Sequence, residues 1–85
     1  METATVSIDL PVGVFSALRE SPEEFTKDMR IAAAVKWYEM GRVSQEKAAE
    51  ISGLSREQFM AELFEYKVSP FQYTADEALR EARYE

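Results

Sequence analysis

The chain has 85 residues, 46% of them hydrophobic, with 16 acidic against 10 basic side chains and a net charge of −6. It contains neither cysteine nor histidine, which excludes disulfides, the common zinc and transition-metal sites, and catalysis through a histidine base or a thiolate. No apolar run approaches the roughly 18 residues of a membrane span, and the opening METATVSIDL lacks the positive flank and apolar block of a signal peptide, so a soluble cytoplasmic protein is expected.

Thr3, Thr5, Ser7 and Asp9 alternate with Ala4, Val6, Ile8 and Leu10. That period of two predicts a half-buried strand ended by Pro11. A lone strand cannot stand in water. Its backbone groups need a neighbour, and the same strand of a second chain is the simplest one. The expectation is therefore a homodimer joined by an intermolecular two-stranded ribbon, with the segment Tyr66 to Ser69 as a rival partner inside the chain. Thr3, Thr5 and Ser7 on the outer face are candidate DNA contacts, because a paired ribbon fits the major groove. No lysine or arginine lies on that strand.

Helix signals follow. A short helix is predicted from about Val12 to Arg19. Ser21-Pro22-Glu23-Glu24 is a full helix start, with a serine cap, a proline at the first helical position and a glutamate three residues after the cap. The helix it opens runs to Met40 and stops at Gly41. Its second half is apolar nearly all round, so it is expected to be buried on more than one side and to join the dimer core.

Residues 44 to 64, SQEKAAEISGLSREQFMAELF, read as a helix-turn-helix. Ser44 starts the first helix, and Ser55 with Gln58 forms a capping box for the second. Ala49 falls four places before the turn glycine Gly53, with Leu54 directly after it and Phe59 six places beyond. Two helices crossing over a short turn need a small residue at the crossing, a residue tolerant of positive φ, and apolar anchors beneath. Arg42, Lys47 and Arg56 are the candidate phosphate contacts of this unit. Its second helix exposes one arginine against Glu57, Glu62 and Glu65, a poor composition for reading base edges or binding phosphates.

Pro70 holds KVSPFQY (67–73) out of helix. Thr74 with Glu77 then opens a last helix. The chain thus divides into 1–66, holding strand, dimerisation helices and helix-turn-helix, and 67–85, a linker and C-terminal helix. Phe71, Tyr73, Leu79 and Tyr84 lie beside Arg80 and Arg83 in this tail. Aromatics with arginines fit a protein interface. The glutamates elsewhere fall at helix starts or on predicted outer faces, where solvation and the helix dipole account for them. No enzyme and no cofactor is expected.

The run from Ile31 to Ala82 resembles the UPF0175 family of small prokaryotic proteins, whose core reads AVKxYxxGxxSxxKAAExxGLSRxxF. Here it is carried by Ala34, Val35, Lys36, Tyr38, Gly41, Ser44, Lys47, Ala48, Ala49, Glu50, Gly53, Leu54, Ser55, Arg56 and Phe59. An SPFQY-type linker follows as Ser69, Pro70, Phe71, Gln72 and Tyr73. The resemblance implies an antitoxin of a type II toxin–antitoxin pair, similar to those encoded beside PIN-domain ribonuclease toxins. It further implies an N-terminal strand similar to that of ribbon-helix-helix antitoxins, whose dimeric ribbon binds operator DNA. On this reading the fold is mostly α with an N-terminal ribbon strand, and Phe71, Tyr73, Leu79, Arg80, Arg83 and Tyr84 hold the toxin. The alternative is a stand-alone helix-turn-helix repressor without a toxin partner.

Overall fold

The protein is seen as a computed structural model that describes residues 2–71. Four helices follow one another: α1 (Gly13–Leu18), α2 (Pro22–Glu39), α3 (Gln45–Ser52) and α4 (Arg56–Glu65). Each of the last three begins where the capping residues call for it. Ser21 Oγ accepts from the Glu24 amide at 3.2 Å, while Glu24 Oε1 accepts from the Ser21 amide at 2.9 Å. Ser55 and Gln58 repeat the exchange at 3.1 and 2.9 Å. Ser44 Oγ takes the Lys47 amide at 3.1 Å. These bonds satisfy amide groups that no helical carbonyl can reach.

All four helices end in one way. A residue in the left-handed region donates its amide three residues back, and the next amide reaches five residues back, the Schellman pattern. At the end of α2 Gly41 bonds the Tyr38 carbonyl at 3.0 Å, and Arg42 bonds that of Trp37 at 2.8 Å. At the end of α4 Lys67 bonds Phe64 at 3.0 Å and Val68 bonds Leu63 at 2.8 Å. The left-handed residues are Arg19, Gly41, Gly53 and Lys67, with φ of 56°, 75°, 76° and 58°. Glycine reaches this region without strain, whereas a side chain there costs about 1 kcal/mol.

The core lies between α2 and the α3–α4 pair. It comprises Ile31, Ala34, Val35 and Tyr38 from α2, Ala48 and Ala49 from α3, Phe59 and Leu63 from α4, and Val68 beyond it. Ala34, Ala48, Phe59 and Leu63 are wholly buried. The alanines let α2 and α3 approach closely, and Phe59 sets its ring edge-on to Tyr38 at 6.1 Å. Burying Phe59 or Leu63 stabilises the fold by about 1.5–3 kcal/mol each. α1 buries nothing fully and is tied down through Phe15, edge-on to Phe25 of α2 at 5.4 Å.

One expectation is corrected. There is no strand among the described residues, so the N-terminal ribbon and the ribbon-helix-helix-like fold class are not present. Residues 3–9 are exposed without regular structure, and Val6 and Ile8, which the alternation assigns to a buried face, face solvent. Period-two patterning fixes which side chains share a face, but a strand also needs a ladder partner. The rival partner offers no edge, because Lys67 turns left-handed and sends Val68 into the core. Within the chain α2 buries one face, Ala32 and Ala33 are half-buried, and Trp37 and Met40 are exposed. The helix expected from Thr74 lies outside the described residues.

Lys67→Gly removes side-chain strain at a left-handed position and should stabilise the protein by about 0.5–1 kcal/mol. Phe59→Ala should cost about 3–5 kcal/mol through the cavity it leaves. Urea denaturation of both variants checks the pair, and a lower midpoint for Lys67→Gly would refute the strain argument.

Candidate functional site

The corner made by α3, the turn and α4 is built as the spacing predicts. Ala49 is buried at the crossing, Gly53 takes φ of 76°, and Phe59 anchors α4 beneath. The Ser52 hydroxyl, buried in the turn, donates to the Ala49 carbonyl at 2.7 Å. Arg30 of α2 reaches over the turn, where its Nε donates to the Ile51 carbonyl at 2.9 Å. A positive charge at the last carbonyls of α3 suits the helix dipole. The guanidinium also roofs Gly53, where an added Cβ would meet its terminal nitrogens at 3.1 Å. Nothing near Arg30 in the sequence marks this contact, since its partners lie some twenty residues away.

The candidate DNA contacts are placed as follows. Arg42 is exposed between α2 and α3. Lys47 is spent on an ion pair with Glu50 at 2.9 Å, exposed and one turn along the same helix. Arg56 stands at the first position of α4 and donates through Nε to Gln45 Oε1 at 2.9 Å. From Arg42 to Lys67 four basic residues face five acidic ones, so the corner carries no positive field. Thr3, Thr5 and Ser7 are exposed on a segment without regular structure.

The polar contacts converge instead on the root of the C-terminal segment. The Pro70 carbonyl accepts two hydrogen bonds, from the Tyr38 hydroxyl at 2.7 Å and from Gln45 Nε2 at 3.0 Å. Gln45 is in turn held by Arg56. The Phe71 amide donates to Ser69 Oγ at 3.1 Å, and its ring is 75% exposed. Of the residues assigned to toxin binding, Phe71 is therefore displayed directly after an anchored carbonyl. Tyr73, Leu79, Arg80, Arg83 and Tyr84 lie outside the described residues. The contacts of Tyr38 and Gln45 with Pro70 were not foreseen from the sequence. A sequence shows a tyrosine on the core face and a glutamine after a cap, but not that both point at one distant carbonyl.

An acidic group gathers near the start of α2. The Glu20 carboxyl is raised in pKa, first by a hydrogen bond to the Asp28 carboxyl, then by burial, and further by the charges of Asp28 and Glu24. The Tyr66 phenol is raised by partial burial and by the nearby charges of Glu62, Asp28 and Glu20. Among the described residues no group of acids is arranged to hold a metal ion, and no helix is long and apolar enough to cross a membrane.

A family model described as "Uncharacterised protein family (UPF0175)" matches residues 1–85, so the chain belongs to that family. No curated protein and no solved structure matches it significantly.

Glu20 holds its proton more tightly folded than unfolded, so its contribution favours folding below the ordinary carboxylate range and is lost as pH rises through the raised pKa. Asp28→Asn replaces a competing acid by a neutral donor. The Glu20 titration followed by NMR should fall back to lower pH in this variant, and the relative stability of variant over wild type should be larger at pH 7 than at pH 3. An unmoved Glu20 titration would mean that Asp28 is not what raises it.

Proposed function

Membership of UPF0175 is the premise from which we propose that this protein is an antitoxin of a type II toxin–antitoxin pair, one that neutralises a PIN-like ribonuclease by direct binding. The observation that supports the reading is the handling of the SPFQY segment. Its root is pinned at Pro70 and its first aromatic, Phe71, is held out in solvent. An exposed aromatic on an anchored segment is a good hot-spot residue, because little conformational entropy remains to be lost on binding.

In this reading Phe71, Tyr73, Leu79 and Tyr84 form the apolar contact, and Arg80 or Arg83 supplies the chemistry. PIN-type ribonucleases gather carboxylates around Mg²⁺. An arginine pairs with carboxylates through two parallel hydrogen bonds and would displace the metal without being able to replace its Lewis acidity. The proposed homodimer rests on the outer face of α2, where Trp37 and Met40 are exposed. The protein itself is proposed to carry no enzymatic activity.

A second reading is favoured by one observation, the well-formed corner with Arg56 at the head of a capped α4. It makes the protein a stand-alone repressor whose phosphate contacts are Arg42, Lys47 and Arg56. The engagement of Lys47 by Glu50 and the excess of glutamates weigh against it.

Purification of tagged protein from its native host should recover a stoichiometric partner with metal-dependent ribonuclease activity that is silent in the complex. Replacing Arg80 and Arg83 together by alanine should restore that activity. Full neutralisation by the double variant would move the mechanism to steric blocking by the aromatics. Recovery of DNA without protein, with affinity falling steeply in salt and a slope reduced by about one in Arg56→Ala, would establish the repressor instead.

A further inference from the structure

The corner and the C-terminal segment are joined by a chain of hydrogen bonds whose direction is fixed at every link. Arg56 Nε can only donate, so the amide face of Gln45 turned toward it must be the oxygen, at 2.9 Å. That leaves the Gln45 nitrogen facing the Pro70 carbonyl at 3.0 Å, a group that can only accept. Were the amide turned over, two donors would meet at Arg56 and two acceptors at Pro70. Tyr38, whose ring is held against Phe59 in the core, donates its hydroxyl to the same carbonyl at 2.7 Å.

We propose that Arg56, Gln45 and Tyr38 form a latch on the Pro70 carbonyl, so that the head of α4 sets the position from which the C-terminal segment departs. Arg56 never touches the segment. It acts as a positioning residue by choosing the orientation of the Gln45 amide. The two surfaces of the molecule are thereby coupled, since whatever turns the Arg56 guanidinium away from Gln45 also loosens Pro70, and the converse holds by reciprocity. The latch stands on the described residues alone and holds whether or not the segment binds a toxin.

Limited chymotrypsin digestion of the full chain, with the cut sites resolved by mass spectrometry, reads the latch directly. Cleavage after Phe71 requires the segment around it to straighten and so to leave Val68 and Pro70 free. Cleavage after Phe64, exposed but within α4, requires the helix to open and reports general unfolding. The ratio of the two should rise about fivefold in Gln45→Ala, the effect of one lost hydrogen bond. Gln45→Glu keeps and strengthens the acceptor for Arg56 but presents an oxygen to the Pro70 carbonyl, and should raise the ratio at least as much. Arg56→Ala should also raise it, and Gln45→Ala combined with Arg56→Ala should add little, because the two act in series. Glu57→Ala is the neighbouring control and should leave the ratio unchanged. A wild-type ratio in Gln45→Glu or Arg56→Ala, or multiplicative effects in the double variant, would overturn the proposal.

Discussion

Tyr38 makes two demands on the chain at once. Its ring must lie in the core, edge-on to Phe59, while its hydroxyl must reach the Pro70 carbonyl. That hydrogen bond holds the segment after α4 back against α2. Every helix between these two points serves that return. α3 crosses α2 where Ala34 and Ala48 leave room, the Gly53 turn reverses the chain, and α4 runs back with Phe59 and Leu63 facing inward. The left-handed end at Lys67 then folds Val68 under α4 and delivers Pro70 to its two donors.

A small domain gains from such double use of its residues. With nine buried apolar residues in the described core, there is little apolar surface to spare, and fixed polar contacts supply the definition that a larger core would give. Arg30 does for the turn what Tyr38 does for the segment. One side chain closes the carboxyl end of α3 and covers Gly53, tying α2 to the corner outside the core. The strain at Arg19 and Lys67 shows where the fold accepts a cost, since both helices must turn there without glycine.

The same economy bears on function. In the described part the corner is electrostatically neutral to acidic, and two of its three candidate phosphate contacts are engaged within the protein, Lys47 by Glu50 and Arg56 by Gln45. Beside the corner, Phe71 stands exposed directly after the anchored Pro70 carbonyl. A fold of this kind does not dictate what is bound.

Local chemistry was legible from the residues. The serine caps at Ser21, Ser44 and Ser55, the glycine stops at Gly41 and Gly53 and the apolar anchors of the turn each depend on neighbours within a few positions, so the sequence determined the helices and the corner. The N-terminal segment shows the limit. Its alternation is real, but a strand is a relation between two segments, and no described part of the chain supplies the second. The latch lay beyond reach for the same reason. Tyr38, Gln45, Arg56 and Pro70 are spread over 33 positions of sequence, and the packing of α2, α3 and α4 brings their polar atoms within hydrogen-bond distance. Short-range hydrogen bonds are written in the order of residues, whereas the convergence of distant donors on one carbonyl is decided by how the helices pack.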